Sequence, residues 1–361
     1  MAKQFSDFTF LDKRLSDMKC KYISVDFDKS DEIDLGAERD MVMGETNRYK
    51  YEPDVFYDTW SSPLEFELHI TKDPCEYNNQ TEMEFTKTEI RAFMKWLTSS
   101  HLPQWIKIVD EKGNPEDVRY YGWFSNIETF VAYGVVYGLK MHFKCTSSFA
   151  YTDVITNEIE VSTYKNVLIE NDSDNLEDYC YPTIHITPNA NGHIYICNLN
   201  DCSLLENGIL KVSGDKTNID ALLDTAESYA LKNDYTLEYT GKGAFNIVTI
   251  CDDTACQFYL IDKYNNKKLC TIFYLPDTME YKIIENGFMY MSVYKNLEVD
   301  IDCKRLTIND SIGRMITYDK LGLEDVGCMY FPQLISGNNS FILYGNAAFK
   351  IEHIEARKVG E

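Results

Sequence analysis

Pro63-Leu-Glu-Phe-Glu-Leu-His-Ile70 alternates apolar and polar side chains with a period of two, the spacing of a strand that buries one face. Leu64, Phe66, Leu68 and Ile70 share that face, and His69 is expected to point away from the core. The alternation returns from Tyr137 to Cys145. There Leu139, Met141, Phe143 and Cys145 are expected inward and Lys140, His142 and Lys144 outward, in the closing strand of a first domain. Between the two strands the period changes. Thr86 followed by Glu89 makes a capping box, and Ile90, Phe93, Met94 and Leu97 continue at helical spacing until His101-Leu-Pro103 ends the helix. Trp105-Ile-Lys-Ile-Val109 and Tyr120-Tyr-Gly-Trp-Phe124 then flank the turn-rich Glu111-Lys-Gly-Asn-Pro115, which predicts a β-hairpin, with a longer one projecting around it.

A second β unit is expected from Tyr151. The polar stretch Asn171-Asp-Ser-Asp-Asn175 reads as a loop before a hairpin made of Thr183-Ile-His-Ile-Thr187 and His193-Ile-Tyr-Ile-Cys197. From about Leu205 to Lys295 a separable segment follows, with a short helix over Ile219 to Leu231 and then a local β-meander joined at Asp252-Asp253, Asn265-Asn266 and Glu285-Asn-Gly287. From Leu297 short strands resume, with turns at Asn309-Asp310, Gly337-Asn338 and Gly345-Asn346.

Composition agrees with a mainly β chain of two or three domains: 361 residues include 26 Tyr and 19 Phe, residues that suit a pleated sheet surface. The formal net charge of -23 is spread without an acidic block, and no basic run opposes it. Specific nucleic-acid binding is therefore not expected, because such binding places Lys and Arg against phosphates. Eleven Cys at irregular spacings, an odd number, read as thiols from a reducing compartment. The beginning of the chain shows no apolar core of signal-peptide length, and no stretch approaches the roughly 18 apolar residues of a membrane span, so a soluble, cytoplasmically made protein with no membrane association is expected.

The sequence offers few candidates for chemistry, and each has a plain structural alternative. His185 and His193 would lie diagonally on the non-Ile face of their hairpin, where a metal could bridge them. Thr183, Thr187 and Tyr195 share that face, so a solvated sheet surface explains the pair equally well, and no metal is assigned. Cys197 with Cys202 and Cys251 with Cys256 are spaced too widely for a usual zinc ribbon and read as core or turn thiols. Asp172-Ser-Asp174 starts like a calcium loop but has Glu177 where glycine is required. Gly241-Lys-Gly243 lacks the spacing of a phosphate loop and reads as a turn. The sequence contains no Gly-x-Ser-x-Gly and no His-Glu-x-x-His, and His353, between Glu352 and Glu355, is expected to be exposed. With 58 Asp and Glu, a close carboxylate pair arises readily by chance and names no glycosidase site. No catalytic residue, metal ligand or cofactor is assigned.

The chain nevertheless resembles a known family. Phe8-Thr-Phe10 with Leu15-Ser-Asp-Met18, the capped helix ending in Trp96-Leu97, Tyr120-Tyr121, and Met141-His-Phe-Lys-Cys145 before Phe149 occur in the same order in phage distal tail proteins. Near the other end, Ile301-Asp-Cys303, Phe331-Pro-Gln-Leu334, Gly337-Asn-Asn339 and Gly345 are similar to the same family. The resemblance covers roughly 1 to 200 and 297 to 361, and it departs from the family where Arg39-Asp-Met-Val-Met-Gly44 replaces a Pro-Gly-Arg-type turn. It implies a β-sandwich-type ring (belt) domain over 1–152, with one helix and a hairpin. It further implies a galectin-like sandwich over 153–204 plus 296–361, and residues 205–295 are left as a small inserted α+β or meander domain. The implied role is a non-enzymatic ring, a homohexamer around a DNA channel, at the tail tip of a virion assembled in the host bacterial cytoplasm. The implied partners are the tail tube protein, a tail-associated lysin or hub, and receptor-binding proteins. The alternative is a carbohydrate-binding adhesin that contacts host cell-wall saccharides. For it the inserted segment supplies Tyr259, Tyr264, Tyr274, Tyr281, Tyr290 and Tyr294, although aromatics are also ordinary core residues of small β-domains.

Overall fold

The computed structural model describes residues 5–23, 39–43, 55–60, 63–77, 79–110, 112–176, 178–211, 219–239, 254–312 and 330–359. They divide into two compact units, Met1–Asp153 with Glu355–Glu361 and Val154–Ile354. The architecture is mainly β, built from antiparallel ladders.

In the first unit the strands run in the order Lys13–Arg14, Phe5–Phe10, Gln104–Asp110, Val118–Ala132, Val135–Cys145, Glu65–Lys72 and Cys20–Ile23. Ala150–Thr152 joins Val118–Ala132 and also pairs with Ala356–Arg357. The sheet curls until Phe5–Phe10 and Cys20–Ile23 lie beside each other. Its core is aromatic: Phe10, Phe124 and Phe143 meet edge to face at centroid distances of 5.1–6.4 Å. This geometry adds to plain area burial. The strand at Tyr137–Cys145 buries Leu139, Met141, Phe143 and Cys145, as its alternation requires. It does not close the unit, because it sits between two other strands of the sheet. The hairpin across Asp110–Val118 is present, but the long one is the next, Val118–Ala132 with Val135–Cys145. Gly122 makes its entry: a side chain there would meet the Lys144 carbonyl oxygen at 2.1 Å.

The helix is Lys87–Leu97. Thr86 Oγ1 accepts from the Glu89 N–H at 3.2 Å and Glu89 Oε2 accepts from the Thr86 N–H at 2.7 Å, so both partners of the capping box are in place. Phe93 and Leu97 face the core, whereas Met94 lies on the exposed side. Trp96 takes the expected place of Met94, stacking on Phe8 at 5.7 Å and donating from Nε1 to the Phe10 carbonyl at 3.0 Å. A tryptophan in a core interface needs such an acceptor. His69 also departs from expectation. It leaves the Leu68–Ile70 face but is still buried, with Nε2 3.4 Å from Glu67 Oε2. Arg39–Met43 is a strand paired with Val55–Trp60 and not a turn.

The second unit contains two sheets whose inner faces share one core. Five strands run Ile155–Val161, Ala347–His353, Thr183–Pro188, Val299–Asp302 and Thr307–Asp310. Four run Tyr164–Asn171, Gly337–Tyr344, Gly192–Asn198 and Phe288–Val293. The expected hairpin of Thr183–Thr187 with His193–Cys197 does not form, because its two strands belong to different sheets. Asn309-Asp310 ends a strand, and the turn follows at once at Ser311 and Ile312, where Asp310 Oδ1 accepts from the Ile312 N–H at 3.0 Å.

A five-stranded sheet, Ser203–Lys211, Glu280–Asn286, Lys267–Leu275, Ala255–Ile261 and Thr236–Tyr239, is set between Asn198 and Phe288 and is covered by the helix Ile219–Lys232. Its core packs Leu222, Ala226 and Tyr229 of the helix against Cys256, Phe258 and Ile272. Phe288–Val293, which the sequence grouped with this segment, pairs instead with Gly192–Asn198 in the four-stranded sheet. Gly241-Lys-Gly243, Asp252-Asp253 and Cys251 lie outside the described residues.

Candidate assembly and binding surfaces

The far end of the first unit's long hairpin is apolar. Register shifts at Phe124/Asn126 and Phe130/Val131 twist the ladder, and beyond them Phe130, Val131 and Tyr133 stand exposed. Tyr133 and Gly134 form the turn with φ 52° and 83°. Val131 is 53% exposed, and Tyr133 stands fully exposed at the turn.

The charged groups on the adjoining ladder are paired. Glu67 accepts from Lys140 at 2.7 Å and faces His142 at 3.2 Å, while Lys144 meets Glu65 at 2.5 Å. Burial would raise the Glu67 carboxyl, but the Lys140 hydrogen bond and the neighbouring positive charges outweigh it and hold the group below the usual carboxylate range. Elsewhere Lys268 pairs with Glu285, Lys267 with Glu238 and Lys350 with Glu352. These lysines are neutralised on the surface and offer no track for a phosphate backbone.

The two histidines considered for a metal are not brought together. His185 lies across from Asp300, with Nδ1 2.6 Å from its Oδ1, and its Nε2 is 3.3 Å from Glu352 Oε2. His193, in the other sheet, has Nδ1 2.7 Å from the Tyr290 hydroxyl. Tyr195 is buried in the core and not on a solvated face. No group of three or more His, Cys, Asp or Glu that could hold a metal occurs among the described residues. His353, expected outside, is buried. The acidic Glu352 and Glu355 nearby had suggested the opposite, but His353 shares the inward face of its strand with Phe349 and Ile351.

Sequence reasoning missed a buried amide network. Asn198 donates to Asn339 Oδ1 at 2.8 Å and to the Gln333 carbonyl at 2.6 Å, and Asn339 donates to the carbonyls of Ile335 and Gly337. Asn171 donates to the carbonyls of Leu334 and Ile335. The network ties the irregular Phe331-Pro-Gln-Leu334 run to three strand ends. Asn in the last position of a strand was the only local sign of it.

The tyrosines considered for sugar stacking scatter. Tyr281 is buried in its core, Tyr290 is buried in the sandwich, and Tyr264 and Tyr294 are exposed. They do not make one stacking platform. A groove of about 270 Å³ lies between the strand Ser203–Lys211 and the helix, with Leu210 and Tyr229 as well as Lys211, Asp224, Lys232 and Asn233 on its walls.

Family comparison places the chain. Residues 3–147 match the family "Phage tail protein N-terminal domain", and residues 149–240 match "Phage tail C-terminal domain". The chain belongs to the phage tail proteins. Among solved structures this tail protein is similar to the SPP1 Dit protein, described as a paradigm of the hub adsorption apparatus in Gram-positive infecting phages. The TM-score is 0.50 and the identity 10%, over 97% of this chain and 99% of that one. At that identity the likeness is one of fold. A chain of the phage P2 baseplate in its activated conformation with Ca matches at TM-score 0.36 and 11% identity, over 98% of each chain. No curated protein sequence matches.

Proposed function

We propose that this tail protein is a non-enzymatic distal tail ring: six copies around a central channel for DNA, joining the tail tube to the tip or baseplate. One observation carries the reading: residues 3–147 and 149–240 match phage tail families, in a fold similar nearly end to end to that of SPP1 Dit. Two physical features support it. The exposed Phe130, Val131 and Tyr133 form an apolar hairpin tip of the kind that a neighbouring copy would cover. A net charge of -23, with surface lysines paired to carboxylates, keeps a channel wall from trapping a moving polyanion.

In this reading the first unit forms the ring. The partners are the tube protein, a hub or lysin, and receptor-binding proteins, and the ring assembles in the host bacterial cytoplasm before it joins the virion. Negative-stain microscopy of the purified protein tests the reading: rings with a central hole are expected, and they should form more readily as salt or divalent cations screen the like-charged copies. A strictly monomeric protein at high concentration in all salts rejects it. The groove that sets Tyr229 beside Lys211, Lys232 and Asn233 favours a second reading, saccharide binding by the inserted domain. That reading requires retention on host cell-wall saccharides that is lost on changing Asn233 to Leu.

A further inference from the structure

Just ahead of the strand Thr183–Pro188 the sandwich carries two tyrosines that its core does not use. Cys180 and Leu334 exchange both backbone hydrogen bonds, at 3.0 and 2.8 Å, in a single antiparallel bridge, and both side chains pack on the core. Strand alternation then turns Tyr179 and Tyr181 outward, where they are 46% and 36% exposed, and puts Gln333 on the same side. The pairs next to a hydrogen-bonded pair are the closest of an antiparallel ladder, so Tyr181 stands beside Gln333. The two rings lie 6.5 Å apart at 64°. From Gln333 a hydrogen-bonded chain leads inward: its Nε2 donates to the Tyr330 hydroxyl at 3.0 Å, and that hydroxyl donates to Asp201 Oδ2 at 2.8 Å. The Gln333 backbone is fixed as well, its carbonyl accepting from Asn198 Nδ2 at 2.6 Å. The polar groups beside the rings are thus held in place before any ligand arrives.

We propose that Tyr179, Tyr181, Gln333 and Asp201 form a binding site for neutral pyranose sugars on the sandwich itself, apart from the groove of the inserted domain. An exposed tyrosine ring offers its face to the C–H side of a sugar ring, and polar groups at its edge take the hydroxyls. The Gln333 amide oxygen and the Asp201 carboxylate keep lone pairs for those hydroxyls. Two properties narrow the ligand. The charged groups at hand are carboxylates: Asp201, and Asp178, whose Oδ1 accepts from the Tyr179 N–H at 2.8 Å. Uronic acids and phosphorylated sugars are repelled, the more so by a chain of net charge -23. Two rings set at 64° leave a face open and do not box in a quaternary ammonium group. The site depends neither on the ring reading nor on the groove.

The test is saturation-transfer NMR on the full-length protein. The probes are neutral oligosaccharides of hexoses, N-acetylhexosamines and deoxyhexoses, with glucuronate as the anionic member. Saturating the aromatic protons should transfer to the ring C–H protons of at least one neutral sugar at millimolar concentration, and not to glucuronate. Tyr181→Ala should weaken that binding about tenfold, the scale of one lost aromatic contact. Tyr179→Ala and Gln333→Leu should weaken it too, while Tyr294→Ala, which removes an exposed ring elsewhere, should leave it unchanged. Circular dichroism checks that each variant is folded. Silence across the neutral sugars overturns the proposal, as does glucuronate binding as tight as that of any neutral sugar. Binding that survives both tyrosine variants and is lost with Asn233→Leu belongs to the groove, which overturns this site and leaves the saccharide reading of the inserted domain standing.

Discussion

The curled sheet of the first unit and the sandwich of the second are both antiparallel, yet they connect their strands differently. In the first unit Gln104–Asp110, Val118–Ala132 and Val135–Cys145 follow one another in sequence and in the sheet. In the sandwich Ile155–Val161 and Thr183–Pro188 lie in one sheet, and Tyr164–Asn171 and Gly192–Asn198 in the other, so successive strands cross the core. A short polar turn between two apolar alternations looks the same in both cases. What differs is whether the second strand rotates to pair with the first or passes over to face it across a core about 10 Å thick. Local pattern therefore reads a meander well and misreads a sandwich crossing as a hairpin.

The sharpest way to break this comparison is a cross-linking pair. His185→Cys with Asp300→Cys replaces directly opposed residues and should oxidise to a disulfide, whereas His185→Cys with His193→Cys should not. Efficient linkage of the second pair would restore the hairpin and undo the two-sheet assignment. Next in size is Phe143→Ala. It removes the ring that packs on Phe10, Phe66 and Phe124 in the first unit, and about 3–5 kcal/mol should be lost in denaturant unfolding. A loss under about 1 kcal/mol would mean that the aromatic cluster is not the core.

The sandwich has a counterpart in Asn339→Ala, which leaves the Asn198 amide and the Ile335 N–H without their acceptor. Each buried group left unpaired should cost about 1–3 kcal/mol. Substitution of an exposed Asn such as Asn266 gives the scale for a turn residue, and equal losses at both sites would deny the network its role.

The smallest effect concerns Glu67. Its carboxyl is held below the usual range in the folded chain, so its contribution is fully present above the unfolded value near ~4.3 and is lost as pH falls through the folded one. Because the pair is partly exposed, about 0.2–1 kcal/mol is at stake. Glu67→Gln should flatten the acid limb of a melting-temperature profile by that amount. An unchanged profile would show that Lys140, His142 and His69 stabilise nothing through this group.

The residue pattern by itself determined the β character, the capped helix at Thr86 and Glu89, the alternation of Leu139 to Cys145 and the positive-φ glycines at 287 and 345. Each depends on contacts within a few residues or on a backbone angle that few residue types adopt. The assembled chain decided the rest: the separation of His185 from His193, the burial of His69, His353 and Tyr195, the Asn171–Asn198–Asn339 network, and the placing of Gln333 beside Tyr181. These are set by which strands become neighbours. That choice rests on burying both sheet faces at once, a sum over residues far apart in sequence that no local window contains.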